Sequence, residues 1–148
     1  MKIKLHCKDE NRALYEQMLT SGGFVVSNDS NLTFVEDNYV SEYLIAKADD
    51  DRAIVYLKDI IIVESYGRDI VVRTEKGTFK VKETLEQLEK LLSGADFLRI
   101  SQSAIIQKSS IEKISHGLSM RFHLTLKAGN KADVTRNYYY SFKKFIGL

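Results

Sequence analysis

Apolar and polar positions alternate over short stretches along most of the chain, and the pattern reads as many short strands with a few helices. Residues 2–6 alternate, with Ile3 and Leu5 on one face, which predicts a strand. Asp9 stands where it would cap a helix over residues 10–20, in which Leu14 and Met18 are four apart, and Ser21-Gly22-Gly23 stops that helix. Residues 24–26, 32–35 and 43–46 are short strands between Asn, Asp and Ser turns. From Ala53 the pattern becomes dense β. Residues 54–57 and 60–65 flank a Lys58-Asp59 turn, and the β-branched run Ile60-Ile61-Ile62-Val63 predicts a strand buried on both faces. After a turn at Tyr66-Gly67-Arg68-Asp69, residues 70–74 and 78–81 read as a hairpin around Glu75-Lys76-Gly77.

The clearest helix follows. Thr84-Leu85-Glu86-Gln87 has the capping-box spacing, Leu85, Leu88, Leu91 and Leu92 form one apolar face, and Ser93-Gly94 ends it. Residues 97–100 are a strand leading into a short helical turn over 103–107. Residues 111–115 form a strand, turned by His116-Gly117. Residues 121–127 alternate, with Phe122, Leu124 and Leu126 inward, and a hairpin at 128–130 leads to a strand at 131–135. Residues 137–146 close as a helix, with Tyr138, Phe142, Phe145 and Ile146 on one face and Lys143-Lys144 suited to its C-terminal dipole.

The acidic run Asp49-Asp50-Asp51 marks a boundary between a small α+β element, residues 1–52, and a larger β-rich domain, residues 53–148. Three adjacent acids read as a solvated turn, because neighbouring side chains do not converge on one ion. At 148 residues the chain is long enough for one domain with an appendage, and 44% hydrophobic with 28% charged residues excludes global disorder. No run approaches the roughly 18 apolar residues of a membrane span. The N-terminal residues have no apolar h-region, and the single cysteine, Cys7, suits a reducing compartment, so the expected location is the cytoplasm.

Charge is uneven. Residues 1–52 carry six Lys/Arg against ten Asp/Glu, whereas from Phe97 onward nine Lys/Arg face only Glu112 and Asp133. A basic half attracts phosphate and steers encounter with an anionic polymer. Enzyme signatures are missing: there is no phosphate-binding glycine loop, no nucleophile elbow and no zinc-protease motif. His6 and Cys7 would point to opposite faces of a strand, and His123 sits on a polar strand face among basic residues, so neither marks a metal site. No catalytic residue, cofactor, metal or small-molecule substrate is expected.

The larger domain resembles the LytTR DNA-binding family. The matching pieces are Asp59-Ile60-Ile61-Ile62-Val63-Glu64; the helix Thr84-Leu85-Glu86-Gln87-Leu88-Glu89; Phe97-Leu98-Arg99-Ile100-Ser101-Gln102-Ser103-Ala104-Ile105-Ile106-Gln107; Ile111-Glu112-Lys113-Ile114; and Gly129 with Val134-Thr135-Arg136-Asn137-Tyr138. Five pieces in order and spacing cover about two-thirds of the chain. The resemblance implies a mostly β fold of packed antiparallel sheets with short helices. It also implies a bacterial transcriptional regulator that binds double-stranded DNA, here without a receiver domain, in which loops enter successive major grooves. A homodimer and a small membrane protein as regulator are the partners it implies, and the N-terminal element is then a candidate dimerisation or partner surface.

Carried over from the family, the base-reading positions fall on Arg68, Gln102 and Arg136. Arginine can grip guanine O6 and N7, and glutamine adenine N6 and N7. Alternatively, Arg136 forms an ion pair at the start of the final helix, and the contact at the first turn falls on Asp69. The family more often has His-Arg where this chain has Ser101-Gln102, which puts the recognised base in doubt. Ser103 and Asn137 are phosphate-contact candidates. Lys108, Arg121 and Lys127 add non-specific attraction. Arg99 belongs to the family pattern but is also placed to pair with Glu64. The reading requires that Arg68, Gln102 and Arg136 line up on one cationic ridge. The rivals are a single-stranded nucleic-acid binder using Phe122, Tyr138 and Tyr139 as stacking platforms, and a protein-interaction module.

Overall fold

A computed structural model of the chain describes residues 1–37, 39, 42–93 and 95–148. The chain forms two compact units, Met1–Ser41 and Glu42–Leu148. In the first, strand β1 (Lys2–His6) lies between β2 (Val25–Val26) and β3 (Thr33–Val35) in a parallel sheet, with helix α1 (Arg12–Ser21) connecting β1 to β2. The alternation of β1 buries Ile3 and Leu5, and Cys7 beyond it is buried too. Asp9 does not cap α1. It opens a 3-10 turn, Asp9–Asn11, and no side chain caps either segment. The side chain of Glu36 ties the helix start to the end of β3 instead. Its carboxylate accepts bonds from the Lys8 N–H at 2.7 Å, from the Asn11 side-chain amide and from the Tyr15 hydroxyl at 3.3 Å. Leu14 and Met18 remain exposed.

The second unit is built from two antiparallel sheets. The larger has the order β5-β4-β8-β7-β6-β10-β9, from β4 (Tyr43–Ala48), β5 (Asp51–Tyr56), β6 (Ile60–Tyr66), β7 (Asp69–Thr74), β8 (Gly77–Val81), β9 (Phe97–Ser101) and β10 (Ala104–Gln107). The smaller is β11 (Ile111–His116), β12 (Phe122–Leu126) and β13 (Lys131–Val134). Helices α2 (Leu85–Leu92) and α3 (Tyr139–Ile146) complete it. The architecture is therefore mostly β with short helices, as expected.

Two cores flank the large sheet. Leu85, Leu88 and Leu92 of α2 pack with Leu44, Val55, Ile60, Val63, Val72 and Ile105. On the other side Ile61, Ile62, Ile100 and Ile106 meet Phe122, Leu124, Leu126 and Phe142. Strand β6 feeds both, so its β-branched run is buried throughout. A register shift between Ile60 and Ile62 marks a bulge that turns Ile61 and Ile62 toward the same core. The Ser110 hydroxyl, itself buried, reaches the Ile61 carbonyl at 3.0 Å. The capping box of α2 forms as the spacing predicts. Thr84 Oγ1 accepts from the Gln87 N–H at 3.2 Å, and Gln87 Oε1 accepts from the Thr84 N–H at 3.0 Å. Gly94, half of the expected helix stop, lies outside the described residues.

Three local expectations change. Residues 103–107 do not form a helical turn; Ala104–Gln107 is strand β10. Ser101 Oγ accepts the Ser103 N–H at 3.1 Å and closes a two-residue loop, and the β-branched pair Ile105-Ile106 then fills both cores, one residue each. The helix expected from residue 137 starts as a 3-10 turn, Arg136–Tyr138, before α3. The units divide at 41/42 and not near residue 52, because β4 pairs with β5 and β8, and Leu44 and Ala46 join the core under α2. The acidic run thus occupies the turn and first residue of the β4–β5 hairpin.

Candidate nucleic-acid interface

Three loops of the second unit lie side by side. The first is the tip of the β6–β7 hairpin, closed by the pair Tyr66↔Asp69. Gly67 sits there at φ 58°, a conformation glycine adopts freely, and Arg68 follows it, exposed. The second is Gln102-Ser103, closed by Ser101↔Ala104 between β9 and β10. Because β10 pairs with β6 through Ala104↔Glu64, and the Ser65 N–H donates to the Ser103 carbonyl at 2.9 Å, these two tips share one end of the sheet. The third loop leaves β13. The Thr135 N–H donates to the Ile100 carbonyl at 3.0 Å, which sets Arg136 and Asn137 beside the end of β9, two residues before Gln102. The order across the edge is Arg68, Gln102, Arg136. The centres of the first two hairpins, in the strand order β7-β6-β10-β9, are two strand spacings apart, about 10 Å.

Arg68, Gln102, Ser103, Arg136 and Asn137 are all exposed. Among the described residues, no ion pair or side-chain hydrogen bond engages the side chains of Arg68, Gln102, Arg136 or Asn137. The alternative role for Arg136, an ion pair at the final helix, is thus not realised. Asp69 in the first loop is bridged by Lys80 at 3.2 Å, which leaves Arg68 the open cation of that turn. Ser103 stands in a hairpin tip rather than at a helix start, and its hydroxyl lies 3.3 Å from that of Ser101. Arg121 lines a shallow groove beside the second loop, with Glu64 and Asp133 also on its wall. Asp133 is paired to His123 Nδ1 at 2.7 Å.

Lys108 does not join this group. It follows β10 at the end opposite Gln102, with its ammonium 5.3 Å from the centre of the Phe145 ring. Arg99 does not meet Glu64 either. Strand β10 separates β9 from β6, and Glu64 pairs with Arg73 at 2.9 Å. Arg99 braces the second loop from behind. Its Nε donates to the Ser101 carbonyl at 3.1 Å, Nη2 to the Gln102 carbonyl at 2.6 Å and Nη1 to Glu89 of α2 at 3.0 Å. Burial opposes its charge, but the Glu89 bond and surrounding groups outweigh that and raise its pKa above the usual arginine value. This brace was missed from sequence, because its carbonyl partners exist only once Gln102-Ser103 is a hairpin tip.

The stacking platform of the single-strand rival is not available on Phe122. That ring is fully buried and stacks on Tyr139 at 4.8 Å and 7°. Among the described residues, no cluster of His, Cys, Asp and Glu is placed to hold a metal ion, and no helix is long and apolar enough to cross a membrane.

The model of the LytTr DNA-binding domain matches residues 50–147. The chain belongs to the LytTr DNA-binding domain family. Over 100 residues it is 32% identical to the sensory transduction protein LytR of Staphylococcus haemolyticus, covering 67% of this chain and 39% of that protein. It is 31% identical over 95 residues to the sensory transduction protein LytT of Bacillus subtilis, covering 64% and 39%. The chain thus spans about two-fifths of these relatives. With an uncharacterized HTH-type transcriptional regulator of Staphylococcus aureus, SAB2242, it shares 29% identity over 119 residues, 80% of each chain. A solved LytTr DNA-binding domain from Bacillus cereus superposes with a TM-score of 0.70 at 24% identity, covering 73% of this chain and 99% of that one. The β-rich LytTr architecture of the second unit is therefore shared with a solved member of the family.

Proposed function

We propose that this LytTr chain is a sequence-specific transcriptional regulator of the cytoplasm that reads the major grooves of duplex DNA with its three loops, two copies acting on two half-sites. The observation that carries the reading is the row Arg68, Gln102, Arg136, exposed and unengaged along one edge. Two arginines offer bidentate contacts to guanine and the glutamine a bidentate contact to adenine. Ser103, Asn137 and Arg121 border the row and supply contacts to phosphate.

The test is selection of a preferred duplex from a random pool, followed by titration of that duplex and of random duplex. Arg136→Ala lowers affinity for the selected site by about 1–3 kcal/mol and leaves random duplex nearly unchanged. Equal losses on both would make Arg136 a backbone contact only. Single strands competing as well as duplex, or no enrichment in the selection, would refute the reading.

A further inference from the structure

The seven-stranded sheet ends in an edge that no further strand pairs with among the described residues. Strand β5 is its outermost strand among the described residues, and its register with β4 runs from Tyr43↔Tyr56 to Ala48↔Asp51 without a bulge. It holds no proline. Soluble proteins protect such edges with bulges, proline, edge or inward charges, because the unpaired N–H and C=O groups accept another strand; here charge is confined to Asp51 and Arg52 at the start of β5. The outward side chains of β5 alternate as Arg52, Ile54 and Tyr56. Ile54 is 55% and Tyr56 48% exposed, beside an exposed Ile45 on β4. This apolar patch plays no part in the row of loops.

The charges along β5 determine what can cover it. Asp49, Asp50 and Asp51 stand at its start, and Lys58 follows its end. A parallel copy would set acid against acid. An antiparallel copy centred on Ile54 sets Ile54 opposite itself and Arg52 opposite Tyr56. Continued past the strand ends, that register sets Asp50 of each copy opposite Lys58 of the other, with Asp49 facing Asp59 beyond them. Arginine over tyrosine is a contact this chain already makes, with Arg73 5.8 Å from the centre of the Tyr66 ring. Every complementary pair occurs twice, as a two-fold axis requires. We infer that β5 is the homodimer surface: two chains pair β5 to β5 antiparallel about Ile54, joining their large sheets. This deepens the half-site reading above by naming where the two copies meet.

The experiment uses the full chain. Sedimentation equilibrium of the wild-type protein shows a dimer at micromolar concentration. Ile54→Glu and Lys58→Glu each raise its dissociation constant at least tenfold while the far-ultraviolet circular dichroism spectrum stays that of the folded wild type. Adding Asp50→Lys and Asp51→Lys to Lys58→Glu restores dimerisation. Ile54→Cys cross-links under mild oxidation, since directly opposed residues fall within disulfide reach, and Tyr56→Cys does not. A monomeric wild type overturns the inference. So does a dimer indifferent to all these changes, which would place the contact elsewhere, for instance on the N-terminal unit. Binding to a single half-site keeps the two readings apart. The edge variants retain it, whereas its absence from the wild type tells against DNA reading and leaves the dimer result standing.

Discussion

Arg99 shows how one side chain can hold the shape of a loop from behind without itself facing outward. It spends its planar fork on two carbonyls of the β9–β10 turn and one carboxylate of α2. Lysine cannot reproduce that geometry. Arg99→Lys is expected to weaken binding to the selected duplex at least tenfold while moving the melting temperature little. Affinity and melting measured together check this, and a fall in stability with intact recognition would count against the brace. The outward-facing positions were legible because the family resemblance carries them over onto turns that the sequence pattern leaves exposed. The brace was not, because hydrogen bonds to backbone leave no residue-type signal at their acceptors. Glu36 is a second case. The Lys8 backbone bond is the largest influence, and with the Asn11 and Tyr15 bonds it outweighs burial and holds the carboxyl below its usual range. A carboxylate depressed on folding stabilises above its unfolded pKa and loses that contribution as pH falls through the folded value. Glu36→Gln should therefore loosen the N-terminal unit at neutral pH, with the difference from wild type vanishing in acid below the ordinary carboxylate range. Amide exchange of β1 and β3 against pH reads this out.

At the level of elements, strong local signals succeeded and short apolar runs did not. The capping box of α2 formed as read, since both of its bonds lie within four residues. Thr84→Ala removes one of them, and the expected loss is about 1 kcal/mol, measurable by denaturant melting. A wild-type midpoint would mean the leucine face alone fixes the helix. Residues 103–107 failed as a helical turn because the three-residue apolar run Ala104-Ile105-Ile106 has no period long enough to choose. Its pairing with β6 and β9, distant in sequence, decides for strand. That one error also hid the hairpin on which Gln102 sits.

For the whole molecule, the division of the chain was the least legible feature. The acidic run reads as a solvated turn marking a boundary; it is a turn, but one inside the β4–β5 hairpin, and the pairing of β4 with β5 and β8 and the burial of Leu44 and Ala46 set residues 42–52 in the larger unit. Charge asymmetry was read directly. With Arg68, Arg121 and Arg136 along one end, affinity for duplex should fall steeply with salt, as if roughly 5–8 phosphates were neutralised across two copies. Titration at several salt concentrations gives the slope, and a flat line would contradict a polyanion partner.

Strand β6 carries the first loop, is bonded to the strand carrying the second, and lends side chains to both cores. Two of the three loops are thereby held by one packed strand, so on the proposed reading a close-packed frame with little freedom to bend meets the duplex. The fit then falls largely to the duplex. Target sites with pliable pyrimidine–purine steps between the touched bases should then outbind stiff ones carrying the same touched bases.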